Sequence, residues 1–86
     1  MDELSMIWDN LDLPTSARVF KSLRYYLGYT KKKDFAKLLD ISPAFVTLCE
    51  KGKKKAGWKT IQKLLDNQIM EPHALLKIIQ QDRNSA

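Results

Sequence analysis

The short connection between two helical patterns near the middle of the chain is the feature that most limits the fold. The apolar pattern of the first helix ends at Leu39, and Ser42 and Pro43 supply an N-cap and a first-turn proline for the next helix. Because so few residues separate them, the two helices must meet at a steep angle, as in a helix-turn-helix, and not as an antiparallel hairpin. The residues that would fill the core between them are Ala36, Ile41, Val46 and Cys49.

Helical periodicity continues through the rest of the chain, and no segment alternates as a β-strand would. A first amphipathic helix is predicted over Met1 to Leu11, and Pro14 should break it. Thr15 or Ser16 would cap the second helix, which Gly28 would end in a left-handed conformation. Thr30 would cap the third helix. We therefore predict an all-α fold, a compact bundle of five or six short helices that contains the helix-turn-helix.

Three segments follow from this pattern. Residues 1–14 form an acidic amphipathic helix, residues 15–80 the helix-turn-helix domain, and residues 81–86 a polar C-terminal tail. A chain of 86 residues has room for one modest core but not for a core and a separate catalytic lobe.

Several classes of protein are not expected from this composition. One cysteine, Cys49, and one histidine, His73, offer neither a disulfide nor a metal-ligand cluster. We find no nucleophile with a base at hand, no glycine-rich phosphate loop and no paired carboxylates, so neither an enzyme nor a cofactor is expected. The sequence also lacks an apolar run of roughly 18 residues and a secretory signal, which predicts a cytoplasmic protein without a membrane partner.

Basic residues are concentrated in the middle of the chain. Residues 18–63 carry 13 of the 15 Lys and Arg and only three acidic residues, a net charge of +10, whereas residues 1–17 carry −4. Lysines near phosphates release condensed counterions on binding, so this block favours a polyanion partner. A solvated helix surface is the alternative interpretation of such charge runs.

The helix-turn-helix pattern resembles the lambda-repressor-like family, and within it the N-terminal DNA-binding domains of phage CI repressors, over Ser16 to Leu76. In that family the helix after the turn enters the major groove, and its outward residues meet base edges. The base-contact candidates that the resemblance implies are Ser42, Pro43, Ala44, Thr47, Leu48 and Lys51. The phosphate-contact candidates are the two lysine runs, Lys31, Lys32, Lys33, Lys53, Lys54 and Lys55.

The sequence departs from the family pattern at two places. Asp40 occupies the turn position that glycine most often holds, and aspartate tolerates a left-handed conformation better than most residues. The outward face of the helix after the turn has no Arg, Asn or Gln, the side chains that pair bidentately with guanine or adenine. Specificity would therefore depend on DNA shape, on the outlying lysines or on a second copy of the protein.

The resemblance also implies a homodimer, because the operators of such proteins are two half-sites about one helical turn apart. The dimer-interface candidates are the apolar residues of the first and last helices, Leu4, Ile7, Trp8, Leu11, Leu75, Leu76, Ile78 and Ile79. For the first helix, docking on the chain's own core is the alternative.

We predict a sequence-specific double-stranded DNA-binding transcription regulator, a repressor of phage or mobile-element type. The absence of a second domain after Ala86 favours a small stand-alone regulator over a full-length CI repressor. The alternative function is a protein-interaction module, such as an antitoxin or an anti-repressor that binds a partner protein. RNA binding through the basic face is a third interpretation, which rests on charge alone.

Overall fold

Six helices account for the regular structure of residues 3–84, the part of the chain that the computed structural model describes. They are α1 (Glu3–Asp9), α2 (Leu13–Tyr26), α3 (Lys32–Leu39), α4 (Pro43–Glu50), α5 (Trp58–Asp66) and α6 (Pro72–Arg83). The predicted all-α class is confirmed. Met1, Asp2, Ser85 and Ala86 lie outside the described residues, so the acidic Asp2 and the end of the predicted polar tail are not covered.

The start of α2 differs from the prediction. Its N-cap is Asp12, whose carboxylate accepts a hydrogen bond from the Thr15 N–H at 2.8 Å, and not Thr15 or Ser16. Pro14 does not separate two helices, because it lies inside the first turn of α2. Proline is tolerated there since the N–H groups of a first turn have no partner within the helix. Thr15 and Ser16 are buried within the helix instead.

Two other helix boundaries also differ. The N-cap of α3 is Lys31 and not Thr30, and no side chain caps this helix. At the other end of the chain α6 continues to Arg83, so the segment predicted as a polar tail begins as helix. The last turn of α6 is tied to α2, since Nη2 of Arg18 donates to the Asp82 carbonyl at 3.2 Å.

Left-handed residues end four of the helices in residues 3–84. They are Gly28 (φ 85°), Asp40 (φ 60°), Gly52 (φ 74°) and Gln68 (φ 57°). At each of them the chain turns back, so that the next N–H groups bond to carbonyls of the preceding helix, as in Tyr29 N–H to the Arg24 carbonyl at 3.0 Å. The predicted roles of Gly28 and Asp40 are confirmed.

All six helices contribute to one core. Phe20 of α2 and Phe35 of α3 meet edge to face with their ring centroids 5.3 Å apart, and Trp8 brings α1 into the same cluster. Helix α2 packs on α4 and α6, α3 packs on α4 and α5, and α1 packs on α5. The Cα radius of gyration of 11.6 Å is close to the roughly 12 Å expected for a compact domain of this length.

Candidate nucleic-acid interface

The turn between α3 and α4 is short, and two of its N–H groups bond back to α3. Asp40 adopts the left-handed conformation, and its N–H and that of Ile41 donate to the carbonyls of Lys37 and Ala36 at 3.2 and 3.0 Å. Ile41 packs against the core, and Ala36 is buried. The predicted core positions of both residues are confirmed, and α4 therefore begins at a fixed place relative to α3.

Ser42 and Pro43 start α4 as the sequence predicts. The Ser42 hydroxyl oxygen accepts a hydrogen bond from the Phe45 N–H at 3.1 Å, and Pro43 occupies the first turn. Both side chains are exposed. Since the Ser42 oxygen is already an acceptor for the backbone, its O–H is the group that is left to donate to a ligand.

The two faces of α4 are separated as predicted. Val46 and Cys49 point into the core and are buried. The base-contact candidates are brought together on the opposite side and at the two ends of the helix: Ser42, Pro43, Ala44 and Lys51 are exposed, and Thr47 and Leu48 are half-buried. Leu48 is therefore partly covered by the protein itself, and only part of its side chain is open to a ligand.

The end of α4 continues into a loop of residues 52–57, which we call the lysine loop. The N–H groups of Gly52 and Lys53 donate to the carbonyls of Cys49 and Leu48 at 3.2 and 3.0 Å, and Lys54 N–H also reaches the Leu48 carbonyl at 3.3 Å. A Cβ on Gly52 would lie 3.8 Å from the Ala17 Cβ, so the loop is close to α2. The side chains of Lys53 and Lys54 remain exposed.

Lys55, predicted as a phosphate contact, does not share the environment of Lys53 and Lys54, because it is half-buried and its ammonium group is hydrogen bonded within the chain. Its Nζ donates to the carbonyls of Asp9 and Leu11 at 2.9 and 2.8 Å. Asp9 is the last residue of α1 and Leu11 follows the helix. The last carbonyls of a helix lack partners within that helix and attract cations, so the bond to Asp9 holds the ammonium group at the end of α1.

A buried ion pair holds the other end of α4 in place. Arg24 of α2 donates from Nε and Nη2 to the two carboxylate oxygens of Glu50 at 2.6 and 3.1 Å. Its Nη1 donates to the carbonyls of Tyr29 and Thr30, both at 3.1 Å. Hydrogen bonding to Glu50 raises the pKa of the Arg24 guanidinium, against the opposing effect of burial.

The Arg24–Glu50 pair could not be recognised from the sequence alone, although one signal exists. An acidic residue in the last turn of a helix opposes the helix dipole. Glu50 occupies that position in a strongly basic segment, and a nearby cation was therefore to be expected. The periodicity does not show which of the many basic residues is its partner.

The first lysine run lies at the beginning of α3. Lys31 and Lys33 are exposed and Lys32 is half-buried. No side chain caps this helix, so the first N–H groups of α3 are not satisfied by a cap. The structure thus leaves exposed cations at the beginning of α3 and at the end of α4, on two helices that pack on each other.

Five of the eight predicted dimer-interface residues are buried in the chain's own core, and for these the prediction is wrong. Trp8, Leu75 and Ile79 have no exposed surface, and Leu11 and Ile78 are 8% exposed. The apolar stripes of α1 and α6 face the other helices of the same chain, which leaves them unavailable to a second subunit. Leu4, Ile7 and Leu76 are half-buried and keep part of their surface.

Residues 3–84 offer neither a metal-ligand cluster nor a membrane-spanning helix. No group of three or more His, Cys, Asp and Glu side chains in that range could hold a metal ion. None of the helices described is long and apolar enough to cross a membrane. No family model, curated protein or solved structure matches the chain.

Proposed function

We propose that this protein is a sequence-specific double-stranded DNA-binding transcription regulator, a repressor of phage or mobile-element type that works in the bacterial cytoplasm or in a phage-infected cell. The observation that carries the proposal is the charge around α4. The carboxylate within this helix, Glu50, is buried and paired with Arg24. The exposed charged side chains that follow it are Lys51, Lys53 and Lys54. Such a surface attracts phosphates without presenting a carboxylate from α4 that would repel them.

The size and side chains of α4 suit a role in the major groove. α4 is an α-helix of eight residues; an α-helix with its side chains is about 10 to 12 Å in diameter, and the major groove of B-DNA is about 12 Å wide. Thr47 and Lys51 can donate hydrogen bonds to base edges, and Ala44 and Leu48 can pack on thymine methyl groups. This set reads few bases directly, so DNA shape and a second bound copy would supply the remaining specificity.

Phosphate contacts would fix the register of α4 on DNA. Lys53 and Lys54 lie in the loop that is hydrogen bonded to the end of α4, and Lys31 and Lys33 flank the uncapped start of α3. A helix N-terminus of this kind favours phosphate through its N–H groups and its dipole. Contacts to phosphate position a protein, whereas contacts to bases specify the sequence. Repression would follow from occlusion, since bound protein blocks polymerase.

The proposal includes a homodimer, because two copies would match an operator with two half-sites. Of the predicted interface residues, Leu4, Ile7 and Leu76 retain exposed surface for this contact. Sedimentation velocity with and without the selected operator measures the stoichiometry. Two copies on one operator are expected, and a single copy on the full site would contradict the homodimer.

Selection of bound duplexes from a random pool, followed by mobility shift, tests the function. An enriched motif with twofold symmetry is expected, with half-sites about 10 to 10.5 base pairs apart or a multiple of that spacing. Failure to bind any duplex at low salt would overturn the proposal.

Variants then separate the two kinds of contact. Replacing Lys53 and Lys54 with alanine should weaken binding to all sequences and lower the salt slope by about 0.9 for each lost phosphate contact. Replacing Thr47 or Lys51 should change which sequences are enriched. Lys77→Ala, which removes an exposed lysine on α6, is the matched control and should leave the salt slope unchanged.

A protein-interaction module, such as an antitoxin or an anti-repressor, is the second candidate. Tyr25 and Tyr26 at the end of α2 are 58% and 60% exposed, and tyrosine is enriched in protein interfaces. The outward face of α4 also lacks the side chains that read bases best. Absence of DNA binding at low salt, together with a stable complex with a protein encoded by a neighbouring gene, would favour this function.

A further inference from the structure

We propose that α1 is a clasp that fixes the lysine loop, and that Lys55 acts through this clasp as a positioning residue for Lys53 and Lys54. This inference rests on the proposed DNA-binding function and assigns a role to the N-terminal helix, which lies outside the helix-turn-helix. It also explains why one lysine of the run is half-buried while the other two are exposed.

Three hydrogen bonds join the lysine loop to α1 and to Leu11, which follows α1, and they run in both directions. Nζ of Lys55 donates to the carbonyls of Asp9 and Leu11 at 2.9 and 2.8 Å. In return, Nε1 of Trp8 donates to the Ala56 carbonyl at 2.8 Å. Trp8 is fully buried and Ala56 is 1% exposed, so water cannot readily replace this bond.

The Lys55 ammonium also lies 5.8 Å from the centroid of the Trp8 ring, within the range of a cation–π interaction. The two parts depend on each other. A helix of seven residues is too short to persist alone in water, and α1 is held by its packing and by these bonds. The hydrogen bonds to α1 in turn hold the C-terminal end of the lysine loop in place.

Lys53 and Lys54 lie between two anchors. On one side, the N–H groups of Gly52 and Lys53 are bonded to α4. On the other side, Lys55 is bonded to the carbonyl of Asp9 in α1 and the Ala56 carbonyl accepts from Trp8. The backbone that carries the two exposed lysines is therefore ordered before DNA arrives, and binding does not have to order it.

Pre-ordering and direct contact predict different salt dependence. Loss of a phosphate contact lowers the slope of log K against log salt, because fewer counterions are released. Loss of pre-ordering lowers the affinity but keeps the number of contacts, so the slope is unchanged. We compare Lys55→Met and Trp8→Phe, which weaken the clasp, with Lys54→Met, which removes an exposed lysine from the same loop.

The experiment measures the affinity of each variant for the selected operator over a range of salt concentrations. Lys55→Met and Trp8→Phe should each lose about two- to tenfold in affinity, equivalent to ordering one or two groups on binding, with the wild-type salt slope. Lys54→Met should lower the slope by about 0.9. Thermal unfolding establishes that every variant is folded at the assay temperature. If Trp8→Phe is too unstable to assay, Lys55→Met still tests the clasp, because the Lys55 side chain is only half-buried.

Amide hydrogen exchange in the free protein gives a readout that does not depend on DNA. Exchange of the amides of residues 53–57 should be faster in Lys55→Met and Trp8→Phe than in the wild type, and unchanged in Lys54→Met. If Lys55→Met lowers the salt slope as Lys54→Met does, Lys55 is a DNA contact and the clasp is overturned. Wild-type affinity in both clasp variants overturns it too. Failure of the wild type to bind DNA at all overturns instead the proposed function.

Discussion

Arg24 and Glu50 form a two-pronged ion pair that solvent barely reaches. Nε and Nη2 of the guanidinium face the two carboxylate oxygens at 2.6 and 3.1 Å, and the side chains are 4% and 5% exposed. The pair joins α2 to the last turn of α4, and the remaining Arg24 bonds reach the carbonyls of Tyr29 and Thr30. Removing one partner would leave the other charge buried and uncompensated.

Glu50→Gln is expected to destabilise the domain by about 3 to 5 kcal/mol, because the Arg24 charge would remain buried without a counterion. This is a large part of the total, since 86 residues imply about 4 to 13 kcal/mol. A double variant, Arg24→Met with Glu50→Leu, should cost less than Glu50→Gln, although the two loop carbonyls lose their donor at about 1 kcal/mol each. Urea unfolding measures both values.

The control for this prediction is the exposed pair of Asp40 and Lys63. Nζ of Lys63 lies 3.9 Å from the Asp40 carboxylate, which is 93% exposed, and exposed pairs contribute about 0 to 1 kcal/mol. Asp40→Asn keeps a residue that tolerates the left-handed conformation and should change the unfolding free energy by less than about 0.5 kcal/mol. If Asp40→Asn lowered the unfolding free energy as much as Glu50→Gln, burial would not explain the cost of breaking the Arg24–Glu50 pair.

Asp40→Gly should stabilise the protein. Asp40 has φ 60° and ψ 45°, a conformation that costs an L-residue about 1 kcal/mol and glycine almost nothing. We expect a gain of about 0.5 to 1 kcal/mol in urea unfolding. Gly28→Ala is the mirror experiment: φ is 85° and a Cβ there would meet nothing within 4 Å, so a loss of about 1 kcal/mol would come from the backbone alone. No gain from Asp40→Gly would mean that Asp40 is not strained.

The sequence was sufficient for features that depend on local chemistry. Helical periodicity predicted the class of fold and the inward positions of Val46 and Cys49, and Ser42 and Pro43 predicted the start of α4. The left-handed conformation of Asp40 is what the turn pattern of the family that the sequence resembles implies for this position. Each of these depends on neighbours within about one helical turn, where spacing and capping preferences carry the information.

The remaining features depend on partners that are distant in the sequence. Lys55 bonds to carbonyls 44 and 46 residues earlier, and Arg24 pairs with a residue 26 positions later. The apolar stripes of α1 and α6 are candidates for a dimer interface in the sequence, with docking on the chain's own core left open for α1, because periodicity shows that a face is apolar but not which surface covers it. Ile78 widens the apolar face of α6 because it, too, is buried in the chain's own core. Only the tertiary packing separates an internal contact from an external one.

Cys49 should resist alkylation in the folded protein. The side chain is buried, and burial raises the pKa of its thiol, with a further contribution from the Glu50 charge. Since the thiolate is the reactive form, iodoacetamide at pH 8 should react about 10³-fold or more slowly than with a free cysteine, at a rate set by opening of the fold. Mass spectrometry follows the adduct, and urea above the unfolding transition should restore the full rate. Rapid reaction without urea would contradict the buried position.

The Asp12 cap should make stability depend on pH at the acidic end of the range. Hydrogen bonding from Thr15, through its side chain and its backbone N–H, lowers the pKa of the Asp12 carboxyl. A carboxyl with a lower pKa in the folded state stabilises the fold fully above its unfolded pKa of about 4, and this contribution is lost as pH falls through the folded value.

Asp12→Asn keeps a side chain that can cap α2 but does not titrate. The melting temperature of the wild type, followed by circular dichroism, should therefore exceed that of the variant by a constant amount between about pH 5 and 7, since the ionised cap interacts better with the helix dipole. The difference should shrink below about pH 4. A difference that stays the same down to pH 2.5 would show that the ionised carboxylate of Asp12 contributes nothing beyond what the neutral amide provides.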